Sequence, residues 1–194
     1  MAAKVIEFSA QNIVDVYLSA TPEQIAAGEH WYDAAQEFAQ YLTVYGVTVE
    51  QAAGIIAALS PMNSWGANKM LAEKFIANGG LEGGYLGVGL RKAAAILAGE
   101  DIVSTLKSNK IVNFYLNIMG EDGVTCDRHA IDIAMNTRHT DKTRPGLTDK
   151  RYNAIADAYR EAAAQFGIKA SVMQSITWTA WRNRYWAEGA YDGV

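Results

Sequence analysis

The sequence predicts an all-α fold, a single domain of about eight helices over residues 1–194, and three observations carry that expectation. Alanine fills 32 positions and proline only three, a balance that favours helix interiors. Capping residues recur at short intervals ahead of apolar segments. No run alternates apolar and polar residues long enough to call for a sheet.

The elements follow in order. Thr21-Pro22-Glu23-Gln24 places a capping threonine before a first-turn proline, with Gln24 able to reach back to the cap. The helix it opens runs to about Tyr45 and stops at Gly46, with Gly28 as a possible break. Thr48-Val49-Glu50-Gln51 repeats the box and opens an apolar helix that ends near Ser60-Pro61. Ser64 caps the next helix, closed by Asn78-Gly79-Gly80. The stretch from Gly79 to Gly89 reads as a glycine-rich loop. Its Gly87-Val88-Gly89 has no preceding strand and no third glycine in place, which excludes a dinucleotide fingerprint.

Ser108 caps a helix over Asn109 to Met119, closed by Gly120, and Asp127 stands at the cap position of Arg128 to Met135. Asn136 to Leu147 is a polar loop. Thr148 opens a helix ending at Gly167, on which Tyr152, Ile155, Ala156, Tyr159 and Ala163 share one face. Ser171 caps the last helix, through Trp186.

Composition narrows the function classes. Half the residues are hydrophobic and 20% are charged, outside the range of a disordered chain. The single cysteine, Cys126, cannot form an internal disulfide, a four-cysteine zinc site or a cysteine-ligated iron–sulfur cluster. No two histidines fall at i, i+4, so no metal site is expected. No stretch approaches the ~18 apolar residues of a membrane span, and the N-terminus lacks a signal-peptide core. The expectation is a soluble cytoplasmic protein without cofactor. The net charge of −4 is unevenly spread: residues 1–127 carry 7 basic and 14 acidic side chains, residues 128–194 carry 10 basic and 7 acidic.

Three segments together resemble the helix-hairpin-helix DNA glycosylase superfamily, in its endonuclease III-like branch. Ala58-Leu59-Ser60-Pro61-Met62-Asn63-Ser64-Trp65, followed by Asn68-Lys69 and Ala72, is similar to the leucine-serine…asparagine-lysine helix junction of that superfamily. Gly89-Leu90-Arg91-Lys92-Ala93 with Ile96 looks like its glycine-leucine…lysine-alanine helix start. Lys110-Ile111-Val112-Asn113, then Leu116-Asn117, then Val124-Thr125-Cys126-Asp127-Arg128-His129, looks like its lysine helix and valine-aspartate-x-histidine element. The resemblance covers about residues 58–134. Its Leu-Ser-Pro, Asp-Arg-His and Trp-x-x-Trp-Arg elements also resemble a phage-encoded branch, which implies a host-cell cytoplasmic setting. The chain departs from the pattern at the hairpin, where Leu106-Lys107-Ser108-Asn109-Lys110 has no glycine to let backbone approach a phosphate. The four-cysteine cluster loop of many members is absent.

The resemblance implies a site. N-glycosidic cleavage needs a carboxylate to stabilise a cationic sugar and position a nucleophile, and Asp127 matches that group. Lys110 matches the lysine that attacks C1′ and forms a Schiff base. Trp65, Asn63, Asn68, Asn113, Arg128 and His129 fall on positions lining the substrate. Arg138, Lys142 and Arg144, in the basic loop that follows, are candidates for phosphate contact.

Each residue has a plainer role beside the functional one. Asp127 serves as an N-cap, Lys110 as a solvated first-turn residue, His129 as a buried packed histidine, and the loop as a solvated loop. Asn117 is expected to bond backbone near the following loop. Gln174, Trp178, Trp181 and Tyr185 share a helical face that reads as core, or as a stacking wall flanked by Arg182 and Arg184.

Three functions remain open: a glycosylase-like enzyme on a nucleobase in DNA, with or without lyase activity in a DNA-repair setting; a nucleotide- or base-modifying enzyme on the same fold; and a non-enzymatic nucleic-acid-binding module. The partner is DNA or a nucleotide in each.

Overall fold

The structure, a computed structural model, describes residues 7–80 and 87–185. Every regular element among them is helical, and no strand occurs. In chain order the helices are α1 (Ala10–Leu18), α2 (Pro22–Glu29), α3 (Trp31–Tyr41), α4 (Val49–Leu59), α5 (Trp65–Ala77), α6 (Val88–Leu97), α7 (Ile102–Leu106), α8 (Asn109–Ile118), α9 (Arg128–Ala134), α10 (Asp149–Ala164) and α11 (Ala170–Tyr185). A 3-10 turn, Leu42–Tyr45, continues α3 to Gly46, whose φ of 87° ends it.

The capping boxes form as the sequence predicts. Thr48 Oγ1 accepts from the Gln51 N–H at 3.2 Å while Gln51 Oε1 accepts from the Thr48 N–H at 3.1 Å. Thr21 and Gln24 make the same exchange at 3.3 and 3.0 Å. Ser64, Ser108, Asp127 and Thr148 each cap the helix expected of them.

Four expectations change. Ser9 and Asp101 cap two helices that the sequence reading omitted, α1 and α7. The long helix from Thr21 divides at His30, between α2 and α3. Gly87 is the N-cap of α6 and Gly89 lies inside it, at a place where a side chain would stand 2.8 Å from the Ala58 carbonyl of α4. Ser171 sits within the first turn of α11, whose opening hydrogen bond runs from the Met173 N–H to the Lys169 carbonyl. Residues 81–86 of the glycine-rich loop and Trp186 lie outside the described residues.

The described residues divide into two compact units, residues 7–29 with 124–185 and residues 30–80 with 87–123. Among the described residues the second is therefore inserted into the first in sequence.

In the first unit α11 is the central helix, packed against α1, α2, α9 and α10. As far as Trp181 it is buried on nearly all sides, and its buried polar side chains include Ser175, Thr177 and Thr179, whose hydroxyls are satisfied on carbonyls. Thr177 donates to Met173 O at 2.8 Å, Thr179 to Ser175 O at 2.9 Å, and Ser175 to Gly28 O at 2.6 Å. Around it lie Ile13, Cys126, Ile133, Ile155 and Tyr159, against its own Met173 and Trp181.

In the second unit α4 takes the central place. Ala52 to Leu59 contains no polar side chain, and a helix apolar on all sides must be surrounded. Helices α3, α5, α6, α7 and α8 surround it, with Leu42, Ile55, Ile56, Phe75, Ile96, Leu106 and Ile118 in the core.

Candidate functional site: the Asp127 cluster

Asp127 belongs to the first unit and Lys110 to the second. Asp127 owes its position to α9, which it caps in extended backbone geometry. Its Oδ1 accepts from the His129 N–H at 2.8 Å and the Ala130 N–H at 2.9 Å. Its other oxygen, Oδ2, accepts from the indole N–H of Trp178 on α11 at 3.3 Å. Three donors therefore hold a half-buried carboxylate, and two of them carry the positive end of a helix dipole.

Around Asp127 stand His129, Arg128, Trp178 and Arg182. His129 is buried, and its ring lies edge-on to Trp178 with centroids 6.2 Å apart. The Arg128 Nε–H donates to His129 Nε2 at 3.4 Å, which leaves the ring proton of the neutral form on Nδ1. Burial pushes the His129 pKa below its ordinary value; the Arg128 and Arg182 charges push the same way, and Asp127 and Asp132 oppose them. The Arg182 guanidinium lies 5.0 Å from the Trp178 ring centre. Behind the cluster, burial pushes the Cys126 thiol up to about 12, so this cysteine is an inert core residue.

The polar loop after α9 is anchored by a buried ionic group that sequence spacing did not disclose. Asp132 is fully buried and receives Arg144 through two bonds, Nε to Oδ1 at 3.1 Å and Nη2 to Oδ2 at 3.0 Å. His139 Nδ1 lies 2.9 Å from Asp132 Oδ1. Arg144 also donates to the His139 carbonyl at 2.8 Å and to Asp141 at 2.7 Å. Its guanidinium is thus engaged within the unit and folds the loop, whereas Arg138 and Lys142 are exposed.

In the second unit Lys110 sits, half-buried, in the first turn of α8, just after the Lys107-Ser108 turn that follows α7. Lys107 takes a φ of 63°, so a non-glycine residue occupies the left-handed backbone here. Lys92 of α6 donates to the Leu106 carbonyl at the end of α7. The asparagines are structural donors. Asn68 bonds the Ile56 carbonyl at 3.2 Å, Asn63 the Leu59 carbonyl at 2.7 Å, and Asn113 the Asn109 carbonyl at 2.8 Å. Asn117 Oδ1 accepts from the Gly123 N–H at 2.8 Å, as expected of a residue that orders the following loop.

Trp65 points inward. It is 9% exposed, with ring centroids 5.2 Å from Trp31 and 6.2 Å from Phe38, and Lys69 Nζ lies 5.6 Å from its ring centre. That packing makes it a wall of the unit's aromatic core. On α11 the shared face divides: Gln174 and Trp181 are buried, and Trp178 and Tyr185 are half-buried. Among the described residues no three His, Cys, Asp or Glu side chains converge as a metal-binding group. No single described helix is long and apolar enough to cross a membrane.

A family model described as "Family of unknown function (DUF7178)" matches residues 2–185. No curated protein and no solved structure matches the chain.

Proposed function

We propose that this chain, which belongs to the family of unknown function DUF7178, is a glycosylase-like enzyme acting at the N-glycosidic bond of a nucleobase, with Asp127 as its carboxylate. The observation that carries the reading is the fixing of Asp127 by three N–H donors beside Trp178 and Arg182. A carboxylate held in this way is preorganised to face a sugar that becomes cationic as its base departs, and that cation is where the rate gain lies. In the reaction a water oxygen bonds to C1′ and the C1′–N bond breaks. The electron pair leaves with the base, which takes up a proton, and Asp127 accepts a proton from the attacking water. The resemblance gives Lys110 the role of a lyase amine: such an amine, in place of water, displaces the base at C1′, the sugar ring opens to a Schiff base, and β-elimination expels the 3′ phosphate.

Incubation of the full chain with duplex oligonucleotides carrying uracil, oxidised or hypermodified bases tests this reading. Release of free base, lost in Asp127→Asn, is the expected result. Borohydride trapping that disappears in Lys110→Ala reports the lyase step. No base release from any of these substrates would sink the duplex form of the proposal.

Two observations favour free nucleotides as the alternative substrate. The Lys107-Ser108 turn lacks glycine, and residues 1–127 carry twice as many acidic as basic side chains, both unfavourable for gripping a duplex there. Base release from nucleoside monophosphates, with none from DNA, assigns the activity to that class. A non-enzymatic nucleic-acid-binding role predicts binding without base release, unchanged by Asp127→Asn.

A further inference from the structure

We propose that the C-terminal half of α11, together with Arg138, binds the phosphodiester backbone of a nucleic-acid strand. Three guanidiniums rest on aromatic rings in this part of the first unit. Arg182 lies over Trp178; Arg184 lies 5.8 Å from the Trp181 ring centre and 6.0 Å from that of Tyr185; Arg138, from the loop after α9, lies 5.5 Å from the same Tyr185 ring. Trp181 and Tyr185, the two rings under Arg184, pack edge-to-face at 4.6 Å.

A guanidinium laid on a ring keeps its N–H fork outside the ring, pre-oriented for a phosphate. Arg138 and Arg184 are both exposed and both approach one tyrosine ring, and Arg184 Nη2 is steadied by donating to Ser19 Oγ at 2.6 Å. The favourable field of a helix C-terminus explains why Arg182 and Arg184 suit the last turn. It does not explain a third arginine brought in from a loop. The charge agrees with an anionic partner: residues 128–194 are net positive in a chain that is net negative. A strand, with phosphates repeated along it, uses several guanidiniums at once where a lone phosphate uses one.

The inference shares its partner class with the proposed activity but needs none of the Asp127 chemistry. The test is fluorescence anisotropy of the full chain with a labelled single-stranded oligonucleotide and its duplex, at rising salt. Binding of either is expected to weaken about tenfold in Arg138→Ala/Arg184→Ala, with the slope of log affinity against log salt reduced by about two. Arg184→Lys should retain most of the slope and lose part of the affinity. Asp127→Asn should bind as the parent does, so loss of base release with retained binding separates the two readings. Equal affinity and slope in the double variant, with its helical circular dichroism intact, would overturn the proposal. So would absence of binding at low salt, or displacement of the strand by inorganic phosphate as effective as by unlabelled oligonucleotide.

Discussion

The Trp178 indole N–H reaches Asp127 Oδ2 at 3.3 Å, on the oxygen that the helix cap leaves unused. One carboxylate therefore joins α9 to α11 and caps a helix at the same time. The two duties separate by substitution. Asparagine keeps the cap but turns an N–H group towards the Trp178 indole N–H, so Asp127→Asn should lose about 1 kcal/mol, whereas Asp127→Ala, which loses the cap as well, should lose about 2 kcal/mol. Urea titrations of both variants check this. If Asp127→Asn abolishes base release with the helical fold retained, the charge serves the chemistry and the cap serves the fold.

His129 makes stability fall with acidification. Burial lowers its pKa in the folded chain, so the unfolded chain binds a proton first as pH falls. The stabilisation that depends on neutral His129 is complete above the ordinary histidine value of 6.5 and is lost as pH falls through the lower folded value. Replacing His129 by Gln should flatten that part of the curve. Thermal melts from neutral to mildly acidic pH measure it, and an unchanged slope would refute the assignment.

Asp132 and Arg144 are expected to be the costliest polar pair to break. Removing Arg144 leaves a fully buried carboxylate without its two-bond partner, a loss on the order of 3 kcal/mol. His139, 2.9 Å from the same carboxylate, stays as a second side-chain partner and offsets part of the loss. Arg144→Ala should still lower the denaturant midpoint more than any other single loss of a polar partner in this loop, and an unchanged midpoint would sink this expectation. Lys142→Ala, at an exposed position in the same loop, should leave the midpoint unchanged.

What could be read in advance was local, and what could not was relational. Thr48 and Gln51 lie three residues apart, so their exchange is written in the chain itself, as is the apolar run from Ala52 to Leu59 that marks α4 as central. Asp132 and Arg144 stand twelve apart across a loop, and no helical period relates them. Asp127 was legible as a cap, but its bond to Trp178 spans 51 positions. Trp65 shows the other limit: sequence identified a tryptophan at a helix start, and packing against Trp31 and Phe38 decided that it faces inward. Helices α1 and α7 are 9 and 5 residues long, too short to display much periodicity, although Ser9 and Asp101 marked their starts.

Gly28 was legible only as a break, and its environment assigns it a different duty. A Cβ there would lie 2.5 Å from the Ile176 Cα and 2.7 Å from the Ile176 nitrogen, both backbone atoms of α11. The glycine lets α2 press against the central helix closely enough for the Ser175 hydroxyl to bond the Gly28 carbonyl at 2.6 Å. Alanine is the better helix former by about 1 kcal/mol, which would stabilise an isolated α2. In the folded unit the clash is with backbone, so the helices must separate and the Ser175 bond must lengthen, at about 1–3 kcal/mol or more. The clash wins, and Gly28→Ala should lower the melting temperature by several degrees. Ser175→Ala, which removes the bond without the clash, should cost less than Gly28→Ala. Equal melting temperatures for Gly28→Ala and the parent would show that α2 does not hold this close approach.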